Sequence, residues 1–115
     1  MPITVYKICD RPLWRDAESI GLFRGAPVDE NDGYIHFSTA AQVAETAAKH
    51  FGGGVDLLLV AVDADLLDGA LKWEHSRGGD LFPRLYGALP LHAVRWVKPL
   101  PLGTDGRHEF PELEP

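Results

Sequence analysis

The sequence predicts an α+β domain that spans residues 1–115. Three observations lead to this class: Thr4–Cys9 alternates like a strand, Thr39 opens a segment with helical spacing, and Val55–Val62 is a nearly continuous apolar run. The chain has 115 residues, close to the commonest size of one domain, and 45% of them are hydrophobic. A chain of this length buries roughly two-thirds of its unfolded surface, so it needs no disulfide bonds.

The first predicted elements are a strand and a short helix. Thr4–Cys9 is rich in β-formers and predicts the strand. Asp10 is a capping residue type and Pro12 suits a first turn, so a helix is expected next. The apolar face of this helix is formed by Leu13, Trp14, Ala17, Ile20 and Gly21. Residues 21–33 contain glycines, a proline and the acidic run Asp29-Glu30-Asn31-Asp32, and are predicted to form a loop.

The second predicted strand is Tyr34–Ser38, which follows the turn pair Asp32-Gly33. Successive side chains of a strand point to opposite faces. Ile35 and Phe37 are therefore expected in the core, and the other face carries Tyr34, His36 and Ser38. This polar face must meet solvent, a pocket or a satisfied polar network.

A helix is predicted directly after this strand. Thr39 and Gln42 have the spacing of a capping box, and a mostly alanine face follows at helical spacing until Gly52-Gly53-Gly54 ends the helix. The next predicted elements are a central strand buried on both faces at Val55–Val62, a turn or short helix at Asp65–Gly69 and a short strand at Leu71–Glu74. An edge strand or extended loop is predicted at Leu81–Leu89, a strand at Ala93–Leu100 and a surface segment from Pro101.

Composition excludes several classes of function. The net charge of −6 disfavours a broad nucleic-acid surface, because nothing would offset phosphate repulsion. The longest apolar run, Leu57–Val62, is far too short to cross a membrane, and the start of the chain does not resemble a secretion signal. The single cysteine, Cys9, fits a small buried side chain in a reducing compartment, so a cytoplasmic location is expected.

His36 is the first candidate for chemistry, as a general base on the polar face of the second strand. It would need an orienting carboxylate, for which Asp29, Glu30, Asp32 and Glu74 are equal candidates; a purely structural histidine is the alternative. Ser38 and Thr39 lie where the strand becomes a helix. Helix amides there could hold a phosphate or carboxylate, although capping also explains a hydroxyl at this position.

Two further segments carry candidate binding residues. Glu74 and Arg77 lie in a glycine-containing loop, and an arginine fork suits planar anions, so Arg77 is predicted to face the substrate. The alternative is a solvated hairpin with a loose ion pair. Arg84 and Tyr86 share a face if their segment is extended, and Tyr86 is the candidate for stacking. The five histidines are too scattered to predict a metal site.

Six segments occur together in a fixed order that covers nearly the whole chain: Val5–Ile8, Trp14, Asp32–Thr39 with Gln42, Trp73-Glu74, Arg77-Gly78-Gly79 and Phe82–Gly87. On these residues the chain resembles the bacterial family catalogued as domain of unknown function 952. Family members usually have histidine at the position of Arg84.

That family is distantly similar to the ADP-ribosyltransferase fold, which implies compact mixed or antiparallel β-sheets with a few flanking helices and a cleft for NAD. Under this resemblance Gly33–Thr39 contacts nicotinamide and ribose, and Phe82–Leu89 is the late strand that usually carries a catalytic glutamate. The chain departs from the pattern at two places. The first-strand histidine or arginine has no counterpart other than Tyr6 or Lys7, and the late-strand glutamate is replaced near Tyr86-Gly87. Fold analogy alone does not establish a reaction.

Three functions therefore stay open. The first is a nucleotide- or small-molecule-binding module; the second is an ADP-ribosyltransferase-like enzyme using NAD or a related nucleotide; the third is a ligand-free interaction domain that uses its tryptophans. The predicted catalytic residues are His36 and Glu74, and the predicted substrate-binding residues are Tyr34, Ser38, Thr39, Arg77 and Tyr86. No cofactor is required by the sequence, NAD being the one that the resemblance implies, and the sequence specifies no oligomeric state.

Overall fold

The order of elements is mixed α and β. The structure is a computed structural model that describes residues 3–76 and 78–115, apart from the side chain of residue 68. The strands are β1 (Thr4–Asp10), β2 (Leu22–Phe23), β3 (Ile35–His36), β4 (Leu57–Asp63), β5 (Leu71–His75), β6 (Leu81–Leu85), β7 (Leu89–Pro90) and β8 (Val94–Leu100). The helices are α1 (Arg11–Ile20), α2 (Pro27–Asp32) and α3 (Val43–His50), and Ala64–Ala70 and Leu91–Ala93 are 3₁₀-helical.

The first sheet has the antiparallel order β1-β4-β8. Its middle strand β4 is buried on both faces, as the continuous apolar run predicted. Alternate β4 residues divide between two hydrophobic clusters: Leu58, Val60 and Val62 belong to one, and Leu57, Leu59 and Ala61 belong to the other. The first cluster fills the space toward α1 and the second sheet, and the second cluster lies beneath α3.

The second sheet has the antiparallel order β3-β6-β5, so the prediction of an edge strand or loop at Leu81–Leu89 is wrong. β6 is the middle strand and ends at Leu85. Pro83 is tolerated there because β3 ends at His36, and the Pro83 carbonyl still accepts the Phe37 N–H at 3.0 Å. The fold class is thus α+β with antiparallel sheets, as expected.

The two three-stranded sheets are joined where β3 ends. The backbones of Ser38 and Tyr6 form two reciprocal hydrogen bonds. The distance is 2.8 Å from the Tyr6 nitrogen to the Ser38 oxygen and 2.9 Å from the Ser38 nitrogen to the Tyr6 oxygen. Tyr6 lies on β1, the edge strand of the first sheet, so the chain leaves β6 at His36 and pairs with β1 at Ser38. This crossover forms a seam between the sheets.

Helices α1 and α3 correspond to the two predicted helices. α1 inserts Trp14 and Ala17 into the core, and Asp10 flanks it without forming a side-chain cap. α3 starts at Val43, four residues after the predicted cap. Only half of the predicted capping box forms, because the Gln42 side chain accepts the Thr39 N–H at 3.0 Å while no hydroxyl cap is present at the start of α3.

Residues 21–33 do not form the predicted loop. They contain β2, which pairs with β7, and the six-residue helix α2. Pro27 occupies the first turn and Asp29 accepts the Ala26 N–H at 2.8 Å, while Gly33 ends the helix with φ +87°. An acidic six-residue segment has no apolar periodicity, so its helical character rests on these end contacts.

The segment after Pro101 returns across the sheet face that α3 covers. The Tyr6 hydroxyl donates to the Glu114 carbonyl at 2.7 Å and accepts the Glu114 N–H at 2.8 Å. Phe110 and Leu113 pack half-buried against the second cluster. Within residues 3–76 and 78–115, no helix is long and apolar enough to span a membrane.

Candidate functional site

One face of the second sheet collects most of the predicted site residues. His36 on β3 lies directly opposite Arg84 on β6, and Arg84 lies opposite Lys72 on β5. Directly opposite residues of an antiparallel sheet point to the same face, so these side chains form a row, and Glu74 joins that face two residues after Lys72. Ile35, on the opposite face, is 1% exposed and enters the core.

The imidazole of His36 is held by a buried carboxylate. Nδ1 of His36 lies 2.5 Å from Oδ1 of Asp29, and the His36 backbone N–H donates to the same oxygen at 3.2 Å. Asp29 belongs to α2 and its side chain is fully buried, whereas the His36 side chain is 37% exposed. Of the four carboxylates left open by the sequence, Asp29 is therefore the one in position to orient Nδ1, and the Asp32 carboxylate lies 3.0 Å from Nε2.

Lys7 stands behind Asp29 and completes a buried ion pair. Its ammonium lies 2.8 Å and 3.0 Å from the two Asp29 oxygens, and its side chain is 5% exposed. Burial alone would raise the pKa of Asp29, but hydrogen bonds from His36, Lys7 and the Ala26 amide, together with the Lys7 charge, lower that pKa to about 2. Asp29 is thus a fixed anion that joins β1, α2 and β3.

Tyr34 is the centre of an aromatic cluster beside His36. Its ring centroid lies 4.6 Å from that of His36 and 5.3 Å from that of Tyr86. The Arg84 guanidinium lies 4.7 Å from the Tyr34 centroid, in cation–π range. Tyr34 is partly buried, so Tyr86, 41% exposed, is the ring of this cluster that offers the larger free surface.

Glu74 joins this cluster through Tyr86 and Arg84. It accepts the Tyr86 hydroxyl at 2.6 Å, and its carboxylate lies 3.6 Å from Nη1 of Arg84. The hydrogen bond to Glu74 raises the pKa of Tyr86, with smaller contributions from desolvation and from the Glu74 charge. Glu74 is therefore brought to the same face as His36 by the pairing of β5 with β6.

An open cleft of about 380 Å³ adjoins the aromatic cluster. Its walls come from the β2–α2 connection, the end of α2 and the residues after β6, and include Arg24, Tyr34 and Gly87. Arg24 is exposed and has no carboxylate within 4.0 Å in the described part of the chain. The cleft thus offers the Arg24 guanidinium next to the aromatic ring of Tyr34, and its acidic lining residues are Asp29 and Glu30.

Two predicted site residues lie away from this cluster. Ser38 is 3% exposed, and its hydroxyl forms a hydrogen bond with that of Thr46 on α3 at 2.8 Å. Of the three environments left open for the polar face, Ser38 therefore has a satisfied polar network, and it does not share the partly exposed surroundings of His36. The crossover to β1 at Ser38 is the physical reason. The Thr39 amide is occupied by Gln42, so it is not available to the predicted anion cradle. The prediction for Arg77 lies outside the described residues.

The cysteine and the tryptophans differ in exposure. Cys9 is 2% exposed, and burial raises the pKa of its thiol to about 12, in keeping with its interpretation as a small core side chain. Trp14 is buried and Trp96 is half-buried, with the Lys98 ammonium 4.5 Å from its ring. Trp73 is 39% exposed. Of the three indoles that an interaction domain could use, Trp73 is the most accessible.

Sequence reasoning missed Lys7 and Arg24, and left Asp29 as one option of four. Lys7 carried a usable signal, because it interrupts a strand whose neighbours on both faces are apolar. A lysine in such a strand requires a counterion if it is buried. The search for that counterion would have led to the acidic run at Asp29. Nothing local in the sequence singles out Arg24.

Residues 8–97 match the family described as protein of unknown function (DUF952). The fold is also that of protein CC0527 from Caulobacter crescentus. The comparison of this chain with the crystal structure of that protein gives a TM-score of 0.89 and 45% sequence identity, and covers 92% of this chain and 93% of that chain. Its solution NMR structure has a TM-score of 0.82 and 46% identity, with 90% of each chain covered. No curated protein matches this chain.

Proposed function

We propose a binding function for this chain, which belongs to the DUF952 family. The proposed ligand is a small molecule that combines a planar ring with an anionic group, and nucleotides are the obvious class. The observation that carries the proposal is the exposed ring of Tyr86, which packs at a tilt against Tyr34 beside an open cleft that contains Arg24.

The aromatic cluster suits the ring of such a ligand. Tyr86 is 41% exposed, and its hydroxyl is fixed by Glu74 at 2.6 Å, so the phenol is held in place before any ligand arrives. A fixed ring loses little conformational entropy on binding. Stacking of a base on an aromatic side chain contributes about 1–3 kcal/mol and tolerates different bases.

Arg24 in the cleft and Arg84 on the neighbouring Tyr34 ring suit the anionic group of such a ligand. The chain carries net charge −6, so an anionic ligand needs a local positive site rather than a broad one. Arg24 at the cleft wall and Arg84 on the Tyr34 ring can both donate in a planar fork, which matches carboxylate and phosphate. Arg84 is partly engaged by Glu74 at 3.6 Å, which leaves Arg24 as the better anchor.

The contacts of the charged side chains favour a binding module over a transferase. Asp29, Glu74 and His36 each have hydrogen-bonded partners within the protein. The late-strand glutamate of the ADP-ribosyltransferase pattern is missing from β6, so an oxocarbenium-like transition state would lack its usual stabilising partner there. The polar face is therefore well suited to hold a ligand in one orientation.

Titration of the chain with AMP, NAD and ADP-ribose, followed by NMR, tests the proposal. We expect shifts at Tyr34, Tyr86 and Gly87, and Tyr86→Ala should weaken binding at least about fivefold from lost stacking. Trp73→Ala is the matched control, because Trp73 is almost equally exposed but lies on the opposite face of the sheet. Absence of shifts at millimolar nucleotide, or equal loss in both variants, would refute the proposal.

A second candidate is an enzyme of ADP-ribosyltransferase-like descent that uses NAD or a related nucleotide. The observation in its favour is the buried Asp29 carboxylate on Nδ1 of His36, an arrangement that orients an imidazole for proton transfer, with Glu74 on the same sheet face. Nicotinamide release from NAD separates the two candidates. Turnover that is lost in His36→Ala and Glu74→Gln supports the enzyme; ligand binding without turnover supports the module.

A further inference from the structure

Two carboxylates contact opposite nitrogens of the His36 ring, and they are held very differently. Asp29 on Nδ1 is fully buried and also bonded by Lys7, by the Ala26 amide and by the His36 amide. Asp32 on Nε2 is 36% exposed. Apart from His36, the contact found for the Asp32 carboxylate within the described residues is a long one of 3.5 Å from the side chain of Asn31.

The end of helix α2 does not by itself stabilise the negative charge of Asp32. Asp32 is the last residue of α2, and the carbonyl end of a helix disfavours a negative charge. Its place is therefore stabilised mainly by Nε2 of His36 at 3.0 Å. A contact between half-exposed groups contributes little to stability and can be exchanged for another acceptor.

Nε2 contacts the partly exposed Asp32 carboxylate, whereas Nδ1 contacts the fully buried Asp29. A ring with both nitrogens protonated satisfies both carboxylates, and Nε2 then donates to whichever oxygen lies beside it. The oxygen of a phosphate or carboxylate in a ligand is chemically equivalent to that of Asp32 as an acceptor. Asp32 and an anionic ligand consequently compete for one donor.

We propose that Asp32 determines the charge specificity of this site: it occupies Nε2 of His36 in the free protein, and the anionic group of the ligand displaces it. This inference rests on the proposed binding function. Helix α2 contributes Asp29 and Glu30 to the lining of the cleft that contains Arg24, and Asp32 follows them on the same helix. In this role the Asp32 carboxylate discriminates against anions that lack a ring able to stack on Tyr86. An anion without such a ring gains too little to replace Asp32.

The inference predicts which variants bind an anionic ligand more tightly. Asp32→Ala should bind AMP roughly two- to fivefold more tightly than the wild-type chain, the range expected for removal of an exposed ion-pair partner. Adenosine, which has the same ring system without phosphate, should bind both proteins equally. Glu30→Ala removes the same charge from the same helix, at a residue that lines the cleft but forms no ion pair with His36 among the described residues. It therefore reports the effect of a nearby negative charge alone, and its gain in AMP affinity should be smaller than that of Asp32→Ala.

Calorimetry with AMP and adenosine on the three proteins gives the answer, with the NMR signals of His36 as a direct readout of the displaced contact. Asp32→Asn, which keeps the shape of the side chain, replaces Asp32→Ala if the latter does not fold. A gain in AMP affinity no larger than that of Glu30→Ala, or an equal gain for adenosine, would overturn the role of Asp32 while the binding function stands. Failure of all three proteins to bind AMP or adenosine would instead refute the binding function.

Discussion

Removal of the Asp29 carboxylate tests the architecture that holds His36. Asp29→Ala leaves the Lys7 ammonium buried without a counterion, and leaves the Ala26 and His36 amides without their acceptor. Breaking a buried ion pair by removing one partner costs about 3–5 kcal/mol, because the remaining charge is uncompensated. With a typical urea slope of about 1–2 kcal/mol per molar, the unfolding midpoint should fall by about 1.5 M or more.

The assay is equilibrium urea unfolding, followed by tryptophan fluorescence because Trp14 is buried in the native chain. Arg11→Ala is the control. It breaks an ion pair with Asp56 of similar length, 2.7 Å, whose side chains are 38% and 56% exposed, and it should cost below about 1 kcal/mol. A loss in Asp29→Ala no larger than in Arg11→Ala would refute the claim that the buried pair organises the site.

The same carboxylate should make stability depend on pH in a defined window. The folded-state pKa of Asp29 is lowered from 3.8 to about 2, so its contribution is present above the unfolded pKa and is lost as pH falls through the folded pKa. The loss amounts to about 2 kcal/mol between pH 4 and pH 2. Asp29→Asn should lack this part of the acid destabilisation, and parallel stability curves for Asp29→Asn and the wild-type chain over this range would contradict the assignment.

Three further predictions concern single side chains. Tyr86→Phe keeps the exposed ring and should retain nucleotide affinity within about twofold, whereas Tyr86→Ala loses the stacking contribution of about 1–3 kcal/mol. If Tyr86→Phe and Tyr86→Ala bound a nucleotide with similar affinity in a titration, stacking on this ring would be contradicted. The hydrogen bond to Glu74 raises the pKa of Tyr86, so Glu74→Gln should lower the pH at which that phenol ionises, measured by its ultraviolet absorbance. Cys9 should resist thiol reagents in the native chain, because burial raises its pKa to about 12, and should react on unfolding in urea; rapid native reaction would disprove its burial.

The elements of the fold were predictable where one pattern dominated. β1 and α1 were predicted from their apolar periodicity and β4 from a nearly continuous apolar run, and the structure has all three at nearly the predicted residues. β6 was predicted as an edge strand or loop because Pro83 removes an amide donor. That inference failed because the neighbouring strand β3 is only two residues long, so the missing donor costs the sheet little. The length of a partner strand is a tertiary property that Pro83 itself does not encode.

The candidate site shows the same limit of prediction from sequence alone. The alternation of side chains correctly placed Ile35 and Phe37 in the core. It did not reveal that Ser38 has different surroundings from His36, because the chain changes its partner from β6 to β1 between them and α3 covers Ser38. The polar face of a strand continues only as long as the strand stays in one sheet. A crossover between two sheets is decided by packing of the whole domain, and no residue type marks it locally.

The seam between the sheets also explains why no sequence motif identifies the site. Lys7 comes from β1, Asp29 from α2, His36 from β3 and Glu74 from β5, and their neighbours in sequence differ entirely. What links them is charge compensation: a lysine that is buried in the first sheet requires an anion, and the anion that meets it can also hold an imidazole at the edge of the second sheet. Lys7→Met together with Asp29→Asn should therefore recover stability relative to Asp29→Asn alone, because the buried charge is removed with its partner. A double variant that is less stable than Asp29→Asn, by urea unfolding, would show that Lys7 stabilises the seam by contacts other than this ion pair.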